Sequence, residues 1–401
     1  MRFLCVALAA FACGASAATS PAAERGRYVA TAAHCVSCHT REGGAAYAGG
    51  RPLATPLGRI HSTNITPDRE TGIGGWSAKD LKRALREGVA ADGRHLFPAF
   101  PYTFYTRMTD ADIADLYAYL RTLKSVRYVP PDNDAAFRMR WTMAPWKALN
   151  LDAGAYRPDP AQSAEWNRGA YLVQGPGHCG ACHTPRSWTL AEQSSAPLRG
   201  AVMQDDVKGG GVRDWFAVDL AATKQGLGAW TTEQIAGYLG KGYSARAGSF
   251  GPMNAVIANS TRHLTPADLR AIAVYLASLG GADYEGPAAT AEEGRPGRPL
   301  YEEHCRECHG DSGRGGLFDG PPLAGSAVVQ GEDASSLINV ILYGSDRPES
   351  IASPAWEAMP AYADRLDDGE IAALGNYLRA SWGNRAPPVT PERVARQRGG
   401  D

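Results

Sequence analysis

Six of the eight cysteines fall into three identically spaced pairs, Cys35/Cys38, Cys179/Cys182 and Cys305/Cys308, and each pair is followed at once by a histidine: His39, His183 and His309. C-x-x-C-H is the attachment sequence for a c-type haem. Its two thiols add to the haem vinyl groups, and the adjacent histidine is then held beneath the iron as proximal ligand. The spacing is short because all three groups must reach one porphyrin. A single C-x-x-C could be a redox disulfide or half a zinc site, and an exported chain could carry structural disulfides. Here every pair brings its own histidine, and the two remaining cysteines, Cys5 and Cys13, lie in the N-terminal segment. The sequence therefore predicts three covalently bound haem c groups.

The segments around the motifs repeat as well, which marks tandem copies of one unit. Arg25-Gly26-Arg27-Tyr28-Val29, Arg168-Gly169-Ala170-Tyr171-Leu172 and Arg298-Pro299-Leu300-Tyr301 lead into the three motifs. Each unit closes on an amphipathic helix: Ile113, Leu116, Tyr117 and Leu120 recur at helical spacing, as do Leu269, Ile272, Ala273 and Leu276, and more loosely Ile371, Leu374 and Leu378. Thr109-x-x-Asp112, Thr265-x-x-Asp268 and Asp367-x-x-Glu370 resemble capping boxes at their starts. Gly72-Ile73-Gly74-Gly75-Trp76-Ser77 pairs with Gly226-Leu227-Gly228-Ala229-Trp230-Thr231, each followed by a helix that stops at Gly88 or Gly242. The expected fold is all-α: three tandem cytochrome c domains over residues 24–127, 163–279 and 298–385, with almost no sheet. Residues 128–162 and 280–297 read as linkers and 386–401 as a polar tail.

Residues 1–17 read as a secretory signal: Arg2, an apolar run from Phe3 to Cys13, and Ala15-Ser16-Ala17 as an A-x-A cleavage site. Ala-Phe-Ala before Cys13 is a poor lipidation signal. No later run reaches the roughly 18 apolar residues that a spanning helix needs, so membrane attachment would be peripheral or through a partner. A net charge of −1 supplies no basic face for nucleic acid.

A methionine often completes the coordination of a cytochrome c iron and raises its potential. Met253, in Gly251-Pro252-Met253, and Met359, in Ala358-Met359-Pro360, precede the second and third closing helices and fit a ligand loop. The first unit has Phe100 near the corresponding place, in Ala99-Phe100-Pro101-Tyr102, and phenylalanine cannot bind iron. Met108 is the candidate there, although it aligns with Leu264 and Leu366 at a hydrophobic staple position. His95 and an open iron are the alternatives. Met139 and Met143 lie in the linker. His34, His178 and His304 precede the first cysteine of each motif and read as loop residues near the haem edge, without an assigned role.

Asn64-Ile65-Thr66-Pro67-Asp68, Gly72-Ile73-Gly74-Gly75-Trp76 and Gly93-Arg94-His95-Leu96-Phe97-Pro98-Ala99, together with three C-x-x-C-H motifs, resemble the triple-haem cytochrome c subunit of bacterial membrane-bound dehydrogenases. That family serves alcohol, gluconate, sorbitol and fructose dehydrogenases and molybdenum hydroxylases. The resemblance covers residues 24 to 385. It implies a periplasmic electron-transfer subunit attached to the cytoplasmic membrane. Such a subunit takes electrons from a catalytic subunit holding flavin, quinone or molybdenum cofactor. It passes them to ubiquinone or another respiratory-chain acceptor, and no substrate chemistry is expected on this chain. Many relatives carry Pro-Ala-Met-Pro-Tyr where this chain has Pro-Ala-Phe-Pro-Tyr, which bears on the first iron. The competing expectations are a haem enzyme acting at an open first iron and a free periplasmic shuttle.

Overall fold

A computed structural model describes residues 20–206, 211–316, 320–351 and 356–399; residues 1–17, expected to be a secretory signal, with Cys5 and Cys13, lie outside the described residues. Three units follow one another, each opening and closing on a helix. The first has α1 (Pro21–Ala32), α2 (Ala78–Glu87) and α3 (Asp110–Leu120). After α4 (Met143–Asn150), the second has α5 (Ala164–Gln174), α6 (Thr232–Lys241), α7 (Pro252–Asn259) and α8 (Pro266–Ala277). The third has α9 (Gly297–His304), α10 (Ser335–Tyr343), α11 (Asp368–Ala380) and α12 (Pro391–Gly399).

The opening and closing helices of each unit pack directly on one another: α1 on α3, α5 on α8, α9 on α11. A glycine makes each crossing possible. A Cβ on Gly26, Gly169 or Gly297 would lie 1.8, 1.9 or 2.1 Å from the carbonyl oxygen of Asp115, Ala271 or Ala373. The helices are thus closer than any side chain permits, and the three units share one packing solution. Each unit buries its own apolar cluster, centred on Leu116 and Ile113, on Leu172 and Ile272, and on Leu337 and Leu374. The second cluster is completed by Ala32 and Tyr28 of the first unit.

Local chemistry sets the helix ends. Ser77 and Thr231 form full capping boxes with Asp80 and Gln234, and Gly88 and Gly242 end those helices in the left-handed conformation, at φ 60° and 84°. Asp367 and Glu370 form a third box. Thr109 and Thr265 cap α3 and α8 through their hydroxyls alone. The carboxylates of Asp112 and Asp268 are drawn away to tyrosines of the neighbouring unit.

The expectation of almost no sheet is corrected. Among the described residues six strands form three antiparallel hairpins: β1 (Pro52–Thr55) with β2 (Gly58–His61), β3 (Arg199–Asp206) with β4 (Val212–Asp219), and β5 (Tyr243–Ser244) with β6 (Ala247–Gly248). In the longest, β3–β4, Val202 faces Phe216 and Met203 faces Trp215, the β-branched and aromatic pairing that favours strands. This hairpin braces the three units. Arg59 of the first unit pairs with Asp206 at 2.9 Å, and Asn339 of the third donates to the Asp214 carbonyl at 2.8 Å. Ser336 both donates to and accepts from the Phe216 backbone at 2.9 Å.

The connecting segment 128–162 contains α4, pinned by Trp146 Nε1 donating to the Thr189 carbonyl and by Lys147 donating to that of Glu87. The C-terminal segment contains α12, which buries Val394 against the third unit and pairs Arg398 with Asp368 at 2.7 Å. No helix among the described residues is long and apolar enough to cross a membrane.

Candidate haem sites

Each C-x-x-C-H sequence forms a single helical turn behind the opening helix of its unit: Cys35–Cys38, Gly180–His183 and Arg306–His309. The three motif histidines are held alike. His39 Nδ1 lies 2.6 Å from the Thr63 carbonyl, His183 Nδ1 2.7 Å from that of Val218 and His309 Nδ1 2.8 Å from that of Pro321. A carbonyl only accepts, so each Nδ1 carries the proton and each Nε2 presents a lone pair. Desolvation holds all three imidazoles below their ordinary value, so they are neutral near pH 7. A neutral imidazole with one nitrogen anchored and the other free is the form that ligates a metal.

The thiols are equally informative. Desolvation pushes Cys35, Cys179 and Cys305 up to about 12 and Cys182 up to about 11. Redox-active C-x-x-C thiols have the opposite perturbation, a lowered value that populates the thiolate. Among the described residues no three His, Cys, Asp or Glu side chains converge on a possible metal position. Each motif therefore offers one imidazole and two thiols to a cofactor rather than a zinc cluster.

The third unit gathers candidate attachment and ligand residues around one apolar cavity. Cys305, His309 and Met359 line one cavity of about 40 Å³, walled by Leu337, Ile341, Tyr362 and Leu374. The apolar lining and two candidate iron ligands, His309 and Met359, are of the residue types that hold a haem. The Met359 loop is tied down by mutual bonds with Ser345, whose hydroxyl accepts from Met359 N at 3.2 Å and whose N–H donates to the Met359 carbonyl at 3.3 Å. Arg347, whose guanidinium lies against Gly248 of the second unit, has two buried N–H donors, Nε and Nη1, without a protein acceptor, an unmet demand that a carboxylate-bearing cofactor would satisfy.

The first and second units differ in one instructive respect. Gly88 O accepts from Leu96 N at 2.9 Å, and Gly242 O accepts from Ser249 N at 2.8 Å, so the loops behind α2 and α6 close in the same way. Four residues beyond these closing bonds stand Phe100 in the first unit and Met253 in the second. Met253 sits in the first turn of α7. Met108 is fully buried in the apolar cluster with Tyr105 and Leu116, and it precedes the N-cap Thr109 as Leu264 precedes Thr265. His95 lies on a bridge to Val89, with its Nδ1 buried and unpartnered. The structure brings His309 and Met359 to one cavity; it places the ligand candidates of the other two units by their positions in the fold.

The first and second motifs also face each other. Cys38 and Asp205 are both close enough to Cys182 to raise it, and Asp205 acts on Cys38 in the same sense. Asp205 is itself raised by burial, with Arg51 at 3.7 Å counteracting. His34 donates from Nε2 to the Ala255 carbonyl of α7 at 3.0 Å, and the His178 ring stacks on Tyr105 at 5.4 Å. The repeated histidine before each motif was visible in the sequence; the partners of His34 and His178 were not, because they belong to the opposite unit.

Comparison with known proteins agrees with this chemistry. Residues 23–124 match the family model described as cytochrome c, and residues 292–378 match the one described as cytochrome C oxidase, cbb3-type, subunit III. Over 388 residues, 92% of this chain and 82% of the relative, it is 39% identical to the cytochrome c subunit of alcohol dehydrogenase (quinone) from Gluconacetobacter polyoxogenes. It is 38% identical to the gluconate 2-dehydrogenase cytochrome c subunit of Pantoea cypripedii, across 93% of this chain and 88% of the relative. It is 41% identical to one of the nicotinate dehydrogenase subunits of Pseudomonas putida, across 89% of this chain but only 30% of that longer protein. The chain belongs to the family of electron-transferring cytochrome c subunits of bacterial dehydrogenases.

Proposed function

We propose that this chain carries three haem c groups, one in each of residues 24–127, 163–279 and 298–385, and relays electrons from a catalytic dehydrogenase subunit to ubiquinone or another respiratory-chain acceptor. The observation that carries this reading is the threefold recurrence of one arrangement: two cysteines on a single helical turn and an imidazole anchored through Nδ1 to a backbone carbonyl. Bound haem c supplies a one-electron Fe(III)/Fe(II) couple. Cys35 and Cys38, Cys179 and Cys182, and Cys305 and Cys308 would attach it; His39, His183 and His309 would ligate one face of each iron. Met253 and Met359 would ligate the opposite face of the second and third irons, which keeps those sites closed to substrate and suited to electron transfer.

The catalytic partner would hold flavin, quinone or molybdenum cofactor; relatives named as subunits of alcohol, gluconate and nicotinate dehydrogenases support such a partner. Residues 1–17 would direct export to the periplasm, with peripheral attachment to the cytoplasmic membrane. Purification from native membranes in mild detergent tests this. A co-purifying flavoprotein, quinoprotein or molybdenum-enzyme subunit, identified by mass, is the expected result. A triple-haem chain that comes away alone and soluble would favour a free shuttle.

A second reading concerns the first site. Phe100 holds the register position of Met253, and Met108 holds that of Leu264 within the core. On that register the first iron lacks a methionine and is open on one face, able to bind a small ligand. Ligation by Met108 is the alternative that ligand binding would rule out.

A further inference from the structure

One continuous chain of contacts joins the first and second haem-attachment turns, and another joins the first turn to α7 of the second unit. Along one, His178 is covalently next to Cys179, and its ring stacks on Tyr105 at a centroid distance of 5.4 Å and an angle of 24°. The Tyr105 hydroxyl donates to the Ala33 carbonyl at 2.9 Å, two residues before Cys35. Along the other, His34 is covalently next to Cys35, and its Nε2 donates to the Ala255 carbonyl at 3.0 Å, two residues beyond Met253. Every step is a covalent bond, a hydrogen bond or a ring contact. Electronic coupling falls off less steeply through such steps than across a gap of the same length.

Two further features set these residues apart from ordinary packing. His34 and Tyr105 are buried, at 8% and 6% exposed, and His178 is partly buried. His34 and His178 both stand in the left-handed region, at φ 55° and 39°, which few non-glycine residues adopt, although histidine is among those enriched there. The third unit's counterpart, His304, instead ends α9 as a helical residue and rests against Tyr362 of its own unit. The unfavourable backbone thus occurs at the two motifs that face each other.

We propose that the stacked His178–Tyr105 pair and His34 form the bridge that couples the first haem site to the second. This rests on the three-haem reading above. The step moves one electron: one iron passes from Fe(II) to Fe(III) as the other passes from Fe(III) to Fe(II), and no proton or bond changes hands. These side chains are positioning residues, because they act through the attachment turns rather than on the iron.

The test uses the full-length haem-loaded protein and its Tyr105→Phe, Tyr105→Leu and Tyr28→Phe variants. Intact mass gives haem content, an optical redox titration gives midpoint potentials, and flash photoreduction with less than one electron per chain gives the rate of intramolecular redistribution. Tyr105→Phe keeps the stack and loses the bond to Ala33, so redistribution slows several-fold; Tyr105→Leu slows it further. Haem content and potentials stay at wild-type values in both. Tyr28→Phe removes a contact between the units that lies off the path and leaves the rate unchanged. The proposal is overturned if Tyr105→Phe and Tyr105→Leu redistribute electrons at the wild-type rate, if altered potentials account for the slowing, or if Tyr28→Phe slows it equally. A wild-type chain lacking haem at Cys35–Cys38 or Cys179–Cys182 would fail the three-haem reading first, and the bridge with it.

Discussion

The Tyr28 hydroxyl of the first unit donates to the Asp268 carboxylate of the second at 2.5 Å, and the same contact recurs in reverse where Tyr171 of the second unit donates to Asp112 of the first. The backbone joins in both times: Thr265 N donates to Tyr28 at 3.1 Å and Thr109 N to Tyr171 at 3.3 Å. Two sequence repeats have become a pseudo-twofold interface, each lending its opening-helix tyrosine to the other's closing helix. Burial alone would raise Asp268, but Arg168 and Tyr28 outweigh it and hold the carboxyl below its ordinary value.

Tyr28→Phe leaves that carboxylate partly served by Arg168, which bonds it at 2.8 Å. The expected loss is therefore modest, about 1 kcal/mol in denaturant unfolding. Because Asp268 is lowered in the folded state, the contribution is present above the ordinary carboxylate range and fades as pH falls through it. An equal loss at pH 3 and pH 7 would contradict an ionised partner.

Gly169→Ala places a Cβ where the Ala271 carbonyl stands, and α5 must move off α8. The expected cost is about 3 kcal/mol, at the upper end for overpacking. Gly237→Ala is the control: it lies within α6, and a Cβ there meets nothing within 4 Å. Alanine favours the helix, so thermal stability should hold or rise by up to about 1 kcal/mol. Equal losses in the two variants would contradict the crossing geometry.

His34 carries a pH signature. Desolvation first, then the neighbouring His178, push its imidazole down to about 4 from an ordinary 6.5, while its bond to Ala255 opposes the shift. Between those values the unfolded chain binds a proton that the folded chain refuses. Stability contributed by this residue is thus complete above pH 6.5 and falls by about 3 kcal/mol on the way down to pH 4. His34→Asn tolerates the left-handed backbone and removes the titration. Unfolding free energies at several pH values should show a flatter curve for the variant, and parallel curves would count against a buried neutral imidazole.

The first site makes a spectroscopic prediction. With Phe100 in the Met253 position, added carbon monoxide should shift about one third of the reduced haem absorbance in the native protein, as one open iron among three distinct sites requires. Phe100→Met should suppress the shift. No shift in the wild type would assign the first iron a protein ligand, with Met108 the candidate.

What the sequence disclosed was whatever depends on neighbours along the chain. The three C-x-x-C-H turns, the boxes at Ser77, Thr231 and Asp367, and the glycine stops at Gly88 and Gly242 are all set within a few residues. The β3–β4 hairpin escaped because it is wedged between units. Several residues on both of its faces are partly covered, so the apolar–polar alternation that marks a half-exposed strand is blurred. The half-formed boxes at Thr109 and Thr265 failed for a tertiary reason: their acidic members serve the neighbouring unit's tyrosines. The partners of His34 and His178 were hidden likewise, since Ala255 and Tyr105 lie 221 and 73 residues away.

The most direct test of the central claim is the intact mass of the mature protein, produced with haem-attachment machinery, beside three variants that replace both cysteines of one motif by alanine. Three haem masses are expected on the wild type and two on each variant. A wild-type mass with two haems or fewer, or a motif whose loss leaves the count unchanged, would contradict that claim.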